Sequence, residues 1–228
     1  MPTIVFVSPK GGVGKTTSAL LLATQLTELY DVTVIDADPN RPIRTWAAGG
    51  NAPARLSIVS DVDEENIMER IEEAAGKTPI VIVDLEGTAA KIVLLAVSQA
   101  DFVIIPTQGS QLDAEQASRA IKVVKQHEKM ARKTMPFAVL LTRTNAQIRT
   151  RNTTHIQKGL IAAGIPVLET ELNEREAFRS VFSFQRTLAG LDPKDVANLD
   201  KARENVQAFA TEILTKLAAS AEVSGKVA

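Results

Sequence analysis

Pro9-Lys10-Gly11-Gly12-Val13-Gly14-Lys15-Thr16-Thr17 is the segment of this chain whose residue types and spacing point most directly to chemistry. An apolar run, Ile4 to Val7, precedes it, and a helical run, Ser18 to Leu29, follows. A strand, a glycine-rich turn and a helix start in that order set a ring of backbone N–H groups at the positive end of a helix, which suits a polyphosphate. In such a loop Lys15 reaches the terminal phosphates and the Thr16 hydroxyl ligates Mg²⁺, while Gly11, Gly12, Val13, Gly14 and Thr17 complete the cradle. The usual pattern places glycine six positions before that lysine. Here Pro9 holds the place, and an extra lysine, Lys10, stands beside it. The residues predict binding of a nucleoside triphosphate.

Such a loop needs a scaffold, and the rest of the chain alternates strands with helices. Short runs rich in Val and Ile predict strands at 3–8, 32–36, 56–60, 79–84, 101–106, 137–142 and 166–170. Helical spacing fits 15–29, 64–75, 89–98, 113–132, 147–163, 174–188 and 195–219. Continuous apolar strands belong to a sheet covered on both sides. The expected fold is α/β: a doubly wound, mostly parallel sheet with helices on both faces and ligands at the carboxyl ends of the strands. Residues 1–219 form one expected domain, and 220–228 an expected frayed tail. Asp36 and Asp38 follow the second apolar strand and Asp84 closes the fourth, so Asp38 and Asp84 would meet Lys15 on one edge. The plainer reading makes Asp36 and Asp38 strand-end caps.

The run Lys10-Gly11-Gly12-Val13-Gly14-Lys15-Thr16-Thr17 resembles the deviant Walker A motif of the ParA/MinD ATPases, a phosphate-loop NTPase superfamily in which the first lysine is the signature residue. Val34-Ile35-Asp36-Ala37-Asp38-Pro39 is similar to the family's segment after its second strand, and Ile80 to Asp84 to its Walker B strand. Asp101 to Pro106 looks like the strand that follows. The chain departs from the pattern at Glu86, where proline is common, at Asn40, where glutamine is usual, and at Gln108-Gly109-Ser110-Gln111, which lacks the usual prolines. The resemblance implies a small ParA-type ATPase using ATP and Mg²⁺. It implies that Asp38 positions the attacking water, that Asp36 and Asp84 hold Mg²⁺ through its waters, and that Lys10 crosses to the nucleotide of a second copy. Dimerisation would then depend on ATP, a ParB-like or other partner protein would stimulate a weak ATPase, and the task would be plasmid or chromosome partition. Positioning of a protein cargo on the nucleoid and conjugative DNA transfer would use the same chemistry.

Charge is distributed unevenly. Residues 1–118 carry 8 basic side chains against 16 acidic ones, whereas residues 119–158 carry 10 basic side chains against Glu128 alone. Lys122, Lys125, Lys129 and Arg132 recur at steps of three and four and make one helical stripe, with Ala117, Ile121, Val124 and Ala131 on an apolar face. The plain reading is a solvated face, but acidic neighbours that would neutralise it are scarce. A duplex phosphate backbone is a fitting counter-charge, with Arg149, Arg151, Arg175 and Arg179 as further candidates. Aromatic residues are few among them, which disfavours stacking on single strands. No operator-reading segment precedes the loop, so the expected contact with DNA is non-specific.

Composition removes other classes. The chain has 228 residues and no cysteine, which excludes disulfides, thiolate metal sites and iron–sulfur clusters, and with them the nitrogenase-iron-protein branch. No leader and no membrane span are read, so the expected location is cytoplasmic and nucleoid-associated. The apolar stripe of the last helix, Val196, Leu199, Val206, Phe209, Ile213 and Leu217, is expected to pack in the core rather than on a membrane. A metabolic ligase of the dethiobiotin-synthetase type is the alternative enzyme, and a membrane-associated regulator of division-site placement the weaker one.

Overall fold

Alternation along the inner strands dictates the layers. In Thr3–Phe6, Ile4 and Phe6 point to one side of the sheet and Val5 to the other, and each side chain is buried. Both faces therefore demand helical cover. The computed structural model describes residues 1–86, 90–148 and 150–225. Its elements run β1 (Thr3–Phe6), α1 (Lys15–Leu26), β2 (Val32–Ala37), α2 (Pro42–Ala47), β3 (Leu56–Val59), α3 (Ile67–Lys77), β4 (Ile80–Leu85), α4 (Ala90–Ser98), β5 (Phe102–Thr107), α5 (Gln111–Ala131), β6 (Phe137–Thr144), α6 (Arg151–Ala162), β7 (Leu172–Asn173), α7 (Glu176–Ser183) and α8 (Leu199–Gly225).

Among the described residues the sheet has seven strands in the order β3-β2-β4-β1-β5-β6-β7, and every pairing is parallel. α1, α2, α7 and α8 cover one face, packing on Ile4, Phe6, Val34, Ile82 and Ile104. α3, α4, α5 and α6 cover the other, packing on Val5, Ile35, Val83, Val103 and Val139. The doubly wound fold expected from the strand–helix alternation is the fold observed. Order reverses between β4 and β5 around β1, so the loop after β1 opens at the switch point where such sheets bind ligands.

Several features differ from expectation. α2 was not foreseen; Pro42 at its first position, a favourable helix start, was the available signal. The strand expected at 166–170 is reduced to a bridge at Val167, and pairing resumes only at Leu172–Asn173, beyond an irregularity opposite Thr142 and Thr144. Between the two, the Glu212 carboxylate rather than a strand accepts the N–H groups of Glu169 (2.9 Å) and Thr170 (2.8 Å). Ala131 is exposed rather than on the apolar face of α5. Val196, Leu199, Val206, Phe209, Ile213 and Leu217 are all buried, so the terminal stripe is core. Among the described residues no helix is long and apolar enough to cross a membrane.

Trp46, 2% exposed, ties α2 to α7 by donating its Nε1–H to the carbonyls of Val181 (3.1 Å) and Arg186 (3.3 Å). Trp46→Phe keeps an aromatic ring but removes this donor from a buried site. It should cost about 1–3 kcal/mol, read as a lower urea midpoint at an unchanged m-value.

Candidate functional site

The glycine loop owes its shape to two residues that only glycine serves well. Gly12 has φ 76° and Gly14, the residue before α1, has φ 93°, both in the left-handed region where a Cβ is strained. Two side chains from neighbouring strand ends brace the loop. Thr142 donates its hydroxyl to the Val13 carbonyl (2.7 Å), and Gln108 its amide to the Gly12 carbonyl (3.0 Å). The result is an open groove lined by Gly11, Gly12, Gly14, Lys15, Thr16, Thr17, Asp38, Asn40, Glu86 and Arg143. Lys15 is buried at the base of this loop.

Register sets the acidic side. Asp36 on β2 pairs directly with Asp84 on β4, and both are fully buried. One Asp36 oxygen, Oδ2, accepts the N–H groups of Ile43 and Arg44 (both 2.9 Å), so this residue does cap the start of α2. Oδ1 has no partner, and neither oxygen of Asp84 completes a hydrogen bond. Burial pushes the Asp84 carboxyl up to about 7. The approach of the Thr16 side chain opposes that rise, Asp36 reinforces it, Lys15 opposes it and Asp38 adds to it. Asp36 is likewise raised by burial, against the two amides it accepts. Three buried carboxylate oxygens without donors, beside a threonine hydroxyl, fit a hydrated Mg²⁺, which keeps several waters and takes few protein ligands. No closed cage of three or more His, Cys, Asp or Glu side chains occurs among the described residues.

Asp38 lines the groove and folds its loop through Oδ1, which accepts the Asn40 N–H (2.8 Å) and side-chain amide (3.0 Å). Lys10 turns away from the groove. Its Nζ lies 2.5 Å from Asp113 Oδ1, and Asp113 is 2% exposed at the start of α5, where it also bonds Ser110. The departure at Gln108 to Gln111 thus supplies a brace for the loop and the cap of α5.

Beside the phosphate groove, sharing Gly14, Thr17 and Arg143 with it, lies a cavity of about 230 Å³. Leu172, Phe178 and Phe182 give it apolar walls, and Asn173, Glu174 and Arg175 a polar rim. Sequence reasoning did not find this cavity, because its walls come from segments about 30 residues apart or more. Arg143, exposed and at φ 52°, stands between the two spaces.

The basic candidates separate. Lys122 and Lys129 are exposed along α5, Arg132 is exposed just past its end at φ 52°, and Arg151 is exposed at the start of α6. Lys125 pairs with Glu128 (3.1 Å) and lies over the Phe137 ring. Arg149 lies outside the described residues. Arg175 donates to Asn173, and Arg179 to Glu174 (2.6 Å); both line the cavity on the opposite face of the sheet from α5. The structure therefore does not bring Arg175 and Arg179 into the α5 stripe.

With this geometry in place, the likenesses to other proteins are specific. A family model described as VirC1 protein matches residues 1–217. The chain is 37% identical over 218 residues to protein ParA of Rhizobium radiobacter, covering 95% of this chain and 98% of that one. It is 27% identical over 181 residues to maintenance of carboxysome distribution protein A of Halothiobacillus neapolitanus, covering 78% and 82%. A crystal structure of a putative plasmid partition protein from Borrelia burgdorferi bound to AMPPNP superposes with a TM-score of 0.69 at 19% identity, covering 94% and 99%. At that identity the likeness is one of fold.

The raised Asp84 has a measurable consequence. Its carboxyl ionises near 3.8 in the unfolded chain and near 7 in the folded one. Below that window both states hold the proton; across it the unfolded state ionises first, so folding stability falls as pH rises. Urea midpoints of the Mg²⁺-free protein should decline from about pH 4 to about pH 7, and Asp84→Asn should flatten the decline.

Proposed function

Because the chain belongs to the VirC1 family, and with it to the ParA-type ATPases of the ParA/MinD superfamily, we propose that it forms an ATP-dependent dimer, binds DNA non-specifically and drives partition of a plasmid or chromosome. One observation carries the nucleotide half of this reading: a phosphate groove and an apolar, polar-rimmed cavity lie side by side and share Gly14, Thr17 and Arg143. That is the outline of a nucleotide, with triphosphate on the loop and base between Leu172 and the Phe178–Phe182 wall.

Within this site the loop amides and Lys15 neutralise phosphate charge, and Asp38 orients the water that attacks the terminal phosphorus. Mg²⁺, held by Thr16 and, through its waters, by Asp36 and Asp84, would add Lewis-acid charge neutralisation at the phosphates. The unpaired oxygens of Asp36 and Asp84 support that assignment. Lys10 contributes only after leaving Asp113, since in the single chain this pair holds it away from the groove. Reaching the nucleotide of a second copy exchanges one anionic partner for another, which makes dimerisation a condition of the lysine's role. A ParB-like or other partner protein then accelerates a weak basal turnover.

The exposed lysines of α5 and the arginine just past its end, with Arg151 nearby in sequence at the head of α6, supply the DNA surface. Lys122, Lys129 and Arg132 carry no ion pair among the described residues, whereas Lys125 is partly neutralised by Glu128. A dimer doubles the patch, and affinity for a polyanion rises with the phosphates neutralised. The protein would then be cytoplasmic and nucleoid-associated, and the same cycle would serve to position a protein cargo or to deliver DNA for conjugation.

Lys15→Ala should abolish nucleotide binding. Asp38→Ala should keep ATP binding, block turnover and accumulate dimer by size-exclusion chromatography. Normal hydrolysis by Asp38→Ala would remove the water-positioning role. Binding to a random-sequence duplex should require ATP rather than ADP. It should weaken about a thousandfold between 50 and 200 mM salt if about six phosphates are neutralised, and be lost in Lys122→Glu/Lys129→Glu.

A further inference from the structure

The wall of the base cavity has little backbone support of its own. β7 is two residues long and meets β6 across an irregular register. A parallel strand this short contributes few ladder hydrogen bonds, yet Leu172, Asn173, Glu174 and Arg175 all border the cavity. Their placement must come from elsewhere.

It comes from α8. One half-buried side chain, Asn205, bridges both sides of the segment: its Nδ2 donates to the Glu171 carbonyl (2.7 Å), and its Oδ1 accepts the Asn173 N–H (3.1 Å). A carbonyl and an N–H two residues apart on one edge of a strand are what a neighbouring strand would engage, so the amide stands in for a missing ladder rung. Only one orientation of the amide satisfies both groups. The effect passes outward from Asn173, whose side chain donates to Thr144 Oγ1 (2.9 Å) and accepts from Arg175 (3.2 Å). Glu174 N–H then bonds the Thr144 carbonyl (2.8 Å). Seven residues further along α8, Glu212 holds the N–H groups of Glu169 and Thr170 and so fixes where the segment leaves the sheet. Among the described residues nothing in α8 borders the phosphate groove.

We infer that Asn205 is a positioning residue for nucleobase recognition: through the Glu171–Asn173 backbone it sets the rim of the base cavity and leaves the phosphate loop untouched. The inference rests on the reading that the cavity takes the base of ATP. It separates two contributions to nucleotide affinity, one from the triphosphate on the loop and one from the base on a wall held by the C-terminal helix.

Inorganic tripolyphosphate with Mg²⁺ probes the loop alone, and ATP with Mg²⁺ probes loop and cavity together. Asn205→Ala should weaken ATP binding by about tenfold, the scale of one or two net hydrogen bonds, and move tripolyphosphate affinity by less than about twofold. Asn205→Asp should act in the same direction, because it keeps the acceptor for Asn173 N–H but sets an oxygen against the Glu171 carbonyl. It serves as the second variant should the alanine protein fail to fold. GTP should gain on ATP in both, since a loosened rim discriminates less between bases. Equal losses for ATP and tripolyphosphate would reduce Asn205 to a general stabiliser and overturn the inference, as would unchanged ATP affinity in both variants. If the unaltered chain binds tripolyphosphate but not ATP, the base cavity is misassigned. If it binds neither, the nucleotide reading falls, and the inference with it.

Discussion

Two carboxylates buried side by side are the constraint around which this molecule is arranged. β2 and β4 pair in a register that sets Asp36 against Asp84, both without solvent and with three of their four oxygens lacking a donor. Taking a carboxylate out of water is costly and a like charge beside it adds to the cost; the raised titration of Asp84 expresses chiefly the burial, reinforced by Asp36. The fold meets part of it locally. Lys15 and Thr16 at the head of α1 face Asp84, and the first amides of α2 satisfy one oxygen of Asp36. What is left over is an unneutralised acidic pair next to a ring of amides, an arrangement that a hydrated divalent cation and a polyphosphate would complete together.

The same economy of strand ends explains how one edge of the sheet serves several purposes. The glycine loop is braced from the end of β5 by Gln108 and from β6 by Thr142. The turn after β5 also carries Ser110 and Asp113, which cap α5 and hold Lys10. The signature lysine is therefore joined through a buried carboxylate to the helix that bears the basic stripe. In the proposed cycle, a lysine that changes partner changes the electrostatic environment at the head of that helix. Signature lysine and basic stripe thus meet on one element rather than lying on separate parts of the fold.

On the other flank the sheet ends in a strand too short to place itself. α8 supplies what the ladder lacks, through Glu212 and Asn205, while its apolar side fills the core against α1. A helix whose sequence reads as a simple amphipathic stripe therefore has a second, polar task, carried by two side chains on its partly exposed flank.

The sequence alone determined the phosphate loop, the doubly wound class and the convergence of Lys15, Asp38 and Asp84, because these follow from local residue order and the strand–helix period. Glycines at fixed offsets and an aspartate closing an apolar run keep their meaning wherever the strands finally lie. Tertiary structure decided the rest. Whether Asp36 faces Asp84 depends on register, and whether Lys10 is free depends on Asp113, 103 residues away. The division of the basic residues between two faces depends on which side of the sheet each helix covers, and neither face is written into the helix itself. The cavity beside the phosphate groove and its Asn205 clip join β6, the β7 segment, α7 and α8. No local pattern announces them, since a side chain that replaces a missing strand is defined only by the backbone it meets.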